Sequence, residues 1–564
     1  MRNGLKSGSS QLSQKLALHY HGIHTQQDRD ARVAAKAAGI ERKFWHMIRI
    51  RVPLGTLTAD QYLALDALAE RVSYNRSLRV TAGQSIQLHG LAASDLTGAI
   101  EEITQAGLAA GCHQNGFEYA IAAPPIPLKK ASYIKVRALA AELCDEFYPK
   151  PGAPALDDRP DHAPRKFTIG LAMPEDNSVN IFAHDLGLLM LEKGGASLVN
   201  LFVGGSLSMP GRRPGTYARL GSPLGSLAPA RSVEAVKAVS TVFAKHGHLA
   251  TRRYTRLKYV VDELGLDRFR TEVEEQLGFR LSQTAPWSEL QNPSWRGAND
   301  QMGGRFFYGL GVPYGRIQDS GVRRHKTAVR TIVEAFRPTI VLAPDQNIIL
   351  AGLTFEQMGA LERILAGYHI PFGDGLTKLR FEAMACAGLP TCPLAVAESE
   401  RVAGGILDEL EALLTQIGKR ESTFNFRISG CSIGCIRPNM VDLGAIGRRP
   451  GQYDLFVGGS ETAGRFSELY AENVPLAEIV STIRPLLEWW GRQSEPNETF
   501  GDFYARWFAN GEKPNRLVLC EAVPARERVE RRIQGAQEEA RPSGAVDFVF
   551  QERSNGSIEA IRKI

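Results

Sequence analysis

The segment RVTAGQSIQLHGL (79–91) returns 262 residues later as VLAPDQNIILAGL (341–353), aligning Gln84 with Gln346, Ile86 with Ile348, Leu88 with Leu350 and Gly90 with Gly352. Val52-Pro53 and Val312-Pro313 precede the two copies. The helix-like stretches LTGAIEEITQAG (96–107) and FEQMGALERILAG (355–367) follow them. Apolar residues first alternate and then recur three and four apart, so each copy predicts strand, turn, strand, helix. A second pair lies further along. LFVGGS occurs at 201–206 and 455–460, and Asp185-Leu186-Gly187 recurs as Asp442-Leu443-Gly444, at offsets of 254 and 257. Two matches in one order at nearly one offset point to an ancient duplication. Two halves facing one another leave a crevice between them, the usual place for a cofactor.

At 564 residues the chain is longer than one core supports, so about three domains are expected. Apolar residues at 43% and charged residues at 23% are ordinary globular composition and argue against a disordered, fibrous or membrane-spanning chain. A net charge of +6 over this length is too small to imply nucleic-acid binding. The opening MRNGLKSGSSQLSQKLALHYHGI has no apolar signal-peptide core, and no run of ~18 apolar residues occurs, so a cytoplasmic protein with no membrane segment is expected. Linkers are predicted at 148–164 and 204–230. RERVERRIQGAQEEAR (526–541) predicts a charged, solvated helix.

Seven cysteines stand at 112, 144, 386, 392, 431, 435 and 520, an odd count that fits poorly with a disulfide framework. Four are grouped, as Cys-x5-Cys in MACAGLPTCPLAVAESER (384–401) and Cys-x3-Cys in GCSIGCIRPNM (430–440). A cubane cluster needs four converging thiolates on loops whose small residues let backbone approach sulfur, and Gly388, Gly430, Ser432 and Gly434 meet that need. A structural zinc site or buried free thiols are the alternatives that spacing leaves open.

MACAGLPTCPLAVAESER followed by GCSIGCIRPN resembles the cluster signature of the sulfite and nitrite reductase family. HYHGIHTQQDRDAR (19–32), RIRVPLG (49–55), PRKF (164–167), TRRYTRLKYV (251–260), GRRPGQYDLFVGG (447–459) and FGDF (500–503) also resemble family segments, in family order and nearer its sulfite branch. The resemblance implies an α+β, three-domain fold with a pseudo-twofold duplication and ferredoxin-like halves. It implies a 4Fe-4S cluster on Cys386, Cys392, Cys431 and Cys435, with Cys435 shared with a siroheme. Arg79, Gln84, Arg165, Arg252, Arg253, Arg256 and Lys258 are the implied siroheme-binding positions, since eight carboxylates need a cationic shell. Lys166 and Arg165 are the implied catalytic residues. The implied reaction is the six-electron reduction of sulfite to sulfide. Nitrite, another small substrate, or a silent cofactor-binding paralogue are the alternatives. The implied electron donor is an NADPH-dependent flavoprotein or a ferredoxin. His19, His21 and His24 fall in a family segment that binds no metal.

The implied boundaries are an arm at 1–40, ferredoxin-like halves at 41–145 and 304–375, siroheme and cluster domains at 146–303 and 376–510, and a charged extension at 511–564. The resemblance also implies a substrate cage of two arginines and two lysines. Gly83 stands at one arginine position, 115–119 holds no basic residue, and Thr168 replaces one lysine, so Lys166 alone carries over.

Overall fold

In the computed structural model, which describes residues 18–40, 44–112, 116–152, 165–247, 254–508, 516–517, 524–539, 548–552 and 558–562, the repeated segments build two sheets that lend each other a strand. Thr56–Leu57, just after Val52-Pro53, pairs with Thr339–Leu342 of the second copy. Arg316–Ile317, just after Val312-Pro313, pairs with Leu78–Val80 of the first. Leu54 and Tyr314 turn the chain at matching φ of 57° and 56°, and Gln84 and Gln346 both have positive φ. The exchange explains why the two halves share one core, in which Ile48, Ile50, Val80, Ile86 and Leu88 meet Leu310, Ile340, Leu342, Ile348 and Leu350.

The second repeat builds two further five-stranded sheets of one topology. In each, two parallel pairings lead into an antiparallel hairpin and a closing antiparallel strand: Phe117–Ala122, Arg165–Ala172, Leu186–Lys193, Ala196–Val203 and Ser222–Leu227 in the first, and Met384–Ala385, Phe426–Ser429, Leu443–Arg449, Gln452–Val457 and Glu468–Pro475 in the second. Asp185 accepts from the Thr168 amide at 2.8 Å, and Asp442 from the Asn425 amide at 2.7 Å, each clipping the same pair of strands.

The duplicated ferredoxin-like sheets differ on the face turned from their shared core. In the second copy this face is Phe307, Val341, Ile349 and Ala351, packed with Trp295 and Phe381 into the core of the Phe117–Leu227 sheet. Gly309 there lies so close to the neighbouring backbone that a Cβ would stand 1.7 Å from the Trp295 carbonyl. In the first copy a row of Arg49, Gln87, Arg79 and Arg316 crosses four adjacent strands. One half is closed by apolar packing, and the other presents cations.

Sheet membership revises three sequence-based expectations. Phe117–Ala122 pairs with Arg165–Ala172, and Gly297–Asp300 pairs with Phe306–Leu310, because the ladder rather than the linker composition decides where a unit begins. We therefore propose boundaries near 116 and 297 in place of 145 and 304. We also propose that residues 18–40 belong with the first ferredoxin-like half and not to a separate arm, since Ile23–Gln26 joins the first sheet through Trp45–Arg51. The helix Arg526–Glu539 is charged but not a solvated appendage: Val529 and Ile533 are buried, and Arg528 pairs with Glu468 at 2.6 Å. Among the described residues no helix is long and apolar enough to cross a membrane.

Gly309→Ala should lower the urea midpoint, at a cost of about 2 to 3 kcal/mol for overpacking. Gly359→Ala should hold or raise it, because Gly359 is inside the helix Phe355–Gly367 and a Cβ there meets nothing closer than the Arg363 guanidinium at 3.7 Å.

Candidate active site

The four cysteines come together at one edge of the Met384–Pro475 sheet. Cys386 follows the short strand Met384–Ala385, and Cys431 and Cys435 follow its parallel neighbour Phe426–Ser429. The Gly430 amide donates to Cys386 Sγ at 3.2 Å, while the Gly430 carbonyl accepts from the Val396 and Ala397 amides at 2.8 and 3.1 Å. A side chain at 430 would strike the Ala397 carbonyl at 2.6 Å, so glycine is what lets the two cysteine loops close. Arg427 and Arg437 converge on buried Glu461 at 2.7 to 2.9 Å and fix the chain just beyond Cys435.

The thiols act on one another. Burial, then Cys386 and Cys435, push the Cys392 thiol up to about 11, and burial with Cys435 and Cys386 pushes Cys431 higher still. Burial and Cys386 also raise Cys435, opposed by Lys166, Arg49 and Arg79. Three thiols whose ionisation burial and neighbouring sulfur oppose, gathered with Cys386 at one point, fit a centre that brings its own positive charge, as an iron-sulfur cluster does. Among the described residues no three His, Cys, Asp or Glu side chains are grouped tightly enough for a single metal ion. A cubane spaces its thiolates wider than one zinc ion does.

Cys435 and Lys166 both expose surface, yet protein encloses them, so they face a cavity. Three sheets wall it. Lys166 and Glu118 stand side by side on adjacent parallel strands, while their neighbours Arg165, Phe117 and Phe167 point to the opposite, core side. Arg49 and Arg51 come from Trp45–Arg51 and both donate to Glu118 Oε1, at 2.8 and 2.9 Å. His24, on Ile23–Gln26, has a buried Nε2 with no hydrogen bond; burial and then Arg49 push its pKa down to about 3. Burial opposes the charge on Glu118, but Lys166, Arg49 and Arg51 hold its carboxyl well below the usual range. Glu118 favours the charged form of Lys166, but burial beside Arg49 pulls its pKa down. Arg51 Nε and Arg79 Nε are buried without a hydrogen bond, as expected of a wall built to face an anionic cofactor.

The structure sorts the residues expected from sequence. The four cysteines, Lys166 and Arg79 come together, Arg79 donating to the Ala385 carbonyl at 3.0 Å beside Cys386. Arg165 does not join them. Strand alternation turns it to the core, where it donates to the Phe243 carbonyl at 3.0 Å and lies over the Phe243 ring, on the side of the strand opposite Lys166. Gln84 is a structural clip, donating to the Leu342 carbonyl at 2.9 Å and accepting from the Ala123 amide at 2.8 Å. Lys258 is buried and spends its three donors on the carbonyls of Ser206, Ser208 and Tyr217. Arg256 is paired with Asp185 at 2.6 Å. Arg252 and Arg253 lie outside the described residues.

The cage also departs from expectation. Gly83 leaves open space, with only Thr81 Oγ1 within 4 Å of a built Cβ, and Thr168 Oγ1 donates to Asp185. Lys166 is nonetheless not the lone cation, because Arg49 and Arg51 line the same cavity. Sequence reasoning missed them, together with Glu118 and His24. The available signal was the i, i+2 spacing of the arginines in RIRVPLG, which puts both on one face of a strand.

Residues 128–281 match the family model for the nitrite and sulphite reductase 4Fe-4S domain, and residues 40–106 and 299–368 match that for the nitrite/sulfite reductase ferredoxin-like half domain. The sulfite reductase [NADPH] hemoprotein beta-component of Shouchella clausii is 32% identical over 509 residues, covering 87% of this chain and 89% of that protein. The protein of that name from Acidithiobacillus ferrooxidans is 33% identical over 505 residues, covering 87% and 89%. The structure of Mycobacterium tuberculosis NirA protein shares the fold, with a TM-score of 0.72 at 19% identity over 88% of this chain and 90% of that one. The chain therefore belongs to the nitrite and sulfite reductase family, oxidoreductases that carry a siroheme and a 4Fe-4S cluster.

Proposed function

We propose that this chain reduces a small oxyanion in the cavity lined by Lys166, Arg49 and Glu118, with sulfite the leading substrate. The observation that carries this reading is the approach of Lys166, Arg49 and Arg79 to Cys435, the most exposed of the four grouped cysteines. Cys386, Cys392, Cys431 and Cys435 would hold the cluster, and Cys435 would also ligate the siroheme. When bound, this pair supplies electrons singly and an iron at which the oxyanion is held. For sulfite, six electrons and seven protons give one hydrosulfide and three waters. Electrons would come from an NADPH-dependent flavoprotein, the partner that the names of the bacterial relatives point to, or from a ferredoxin.

The chain's own groups have separable roles. Lys166 makes no hydrogen bond or ion pair to a described residue, so its ammonium is free to hold an oxyanion and to release a proton to a departing oxygen. Its lowered pKa makes that release easier. The Arg49 side chain, about one fifth exposed, is open to meet the substrate, whereas that of Arg51 is almost wholly buried, with Nη2 on Glu118.

The purified protein should contain about five irons and about four labile sulfides per chain, one iron belonging to a siroheme. Cys435→Ser should lose both chromophores and Cys520→Ser neither. One zinc with no labile sulfide would sink the cofactor assignment.

Lys166→Met should cut kcat for the preferred oxyanion by on the order of a hundredfold with cofactor absorbance intact. Steady-state assays with reduced methyl viologen measure this, and an unchanged kcat would remove Lys166 from the chemistry.

Sulfite turnover should be slow beside that of a family member that carries the full cage of two arginines and two lysines. Hydrogen bonds to charged groups contribute roughly 1.5 to 3 kcal/mol each, so two missing from the cage cost on the order of a hundredfold or more in rate. Parity in the same assay would show the cage to be complete.

A further inference from the structure

We propose that Glu118 tunes the substrate class of this cavity, lowering its preference for dianions such as sulfite relative to singly charged oxyanions such as nitrite or bisulfite. The inference rests on the reading that a small oxyanion occupies the cavity beside Lys166.

The geometry is that of an anion site already filled from within. A pair of guanidiniums converging on one point is a standard receptor for an oxyanion. Here Arg49 Nη1 and Arg51 Nη2 converge at 2.8 and 2.9 Å on Glu118 Oε1, so the chain's own carboxylate holds the position. The pairing is deep, with the Arg51 and Glu118 side chains only 4% and 9% exposed, so water does little to screen it. Lys166, in register with Glu118 on the next strand, shares its field with the same carboxylate. An incoming oxyanion therefore meets three cations and one fixed negative charge. Attraction to the cations and repulsion from that carboxylate both double when the ligand carries two charges instead of one, so Glu118 takes more binding energy from a dianion than from a monoanion. Glu118 also ties the first ferredoxin-like sheet to the edge of the neighbouring sheet, but a purely structural tie would not discriminate between anions.

The test is anion affinity of the cofactor-loaded protein, read from the shift of the siroheme absorption bands, with nitrite and sulfite as probes at pH ~8, where nitrite is a monoanion and sulfite mostly a dianion. In Glu118→Gln the sulfite Kd should tighten by about tenfold or more while the nitrite Kd moves by about threefold or less. Glu118→Asp draws the same charge back from the guanidinium pair and should shift the ratio the same way by a smaller factor, about threefold. It decides the matter if the Gln variant fails to load cofactors. A sulfite-to-nitrite ratio unchanged in the loaded variants would overturn the role of Glu118 and leave the oxyanion reading standing. Absence of any spectral response to either anion, in wild type and variants alike, would overturn the oxyanion reading and this inference with it.

Discussion

The constraint on which this structure turns is the gathering of negative charge at one enclosed point. Four thiols meet there, and burial and neighbouring sulfur both oppose the ionisation of Cys392, Cys431 and Cys435. Cations must answer them at close range, because little water reaches the place to do so. A sheet is well suited to deliver cations in a line, since neighbouring strands lie roughly 4.8 Å apart and hold side chains abreast. The row Arg49, Gln87, Arg79, Arg316 does this. Like charges abreast repel, and the row is built to limit that. Neutral Gln87 separates Arg49 from Arg79, and Glu400 bonds Arg316 at 2.7 and 3.0 Å while lying 3.5 Å from Arg79.

The duplication supplies the walls, and divergence between the copies decides which half does chemistry. Asn180 and Arg437, 257 residues apart, share positive φ, and the carbonyls of Ile181 and Pro438 crowd Gly187 and Gly444 in the same way. The loops after Arg165–Ala172 and after Phe426–Ser429 are thus equivalent. At that offset Pro174 and Ser178 stand where Cys431 and Cys435 stand. The ferredoxin-like sheets diverge in the opposite sense, with Gly309, Ile349 and Val341 of the second copy matching Arg49, Gln87 and Arg79 of the first. The cations kept by the first copy thus serve the thiols kept by the second, and each copy has lost the element that the other retains.

Much of this was legible in the sequence. The repeats pointed to two equivalent halves because period-two patterning and paired turns survive divergence, and the cysteine segments resembled a family's cluster signature where spacing alone left zinc or free thiols open. What could not be read was the strand exchange between halves, which leaves no trace in composition, and the sheet to which Phe117–Ala122 belongs. Candidate cations were the weakest part. Sequence shows where a lysine stands but not which partner holds it: Lys258 turned out to be bound by three carbonyls, and Arg165 by a carbonyl and an aromatic ring. Arg49 and Arg51 were overlooked because nothing in a strand's sequence says which face will line a cavity.

That difference bears on how such a site is tuned. A basic residue acts on a ligand only with the donors its neighbours leave free, so the carboxylates behind the arginines set the usable charge. Asp185 takes both Nε and Nη2 of Arg256, Glu461 takes Arg427 and Arg437, and Glu400 takes Arg316. Each of these acids stabilises its arginine in the apoprotein and thereby withdraws it from the cavity. Glu118 differs in position only, since it does the same to Arg49 and Arg51 from inside the cavity wall, beside Lys166. Exchange of one acid for a neutral residue there changes the cation count open to substrate while the row on the sheet, the cysteine loops and both cores stay as they are. Specificity can therefore vary within this fold without disturbing the centre that carries the electrons.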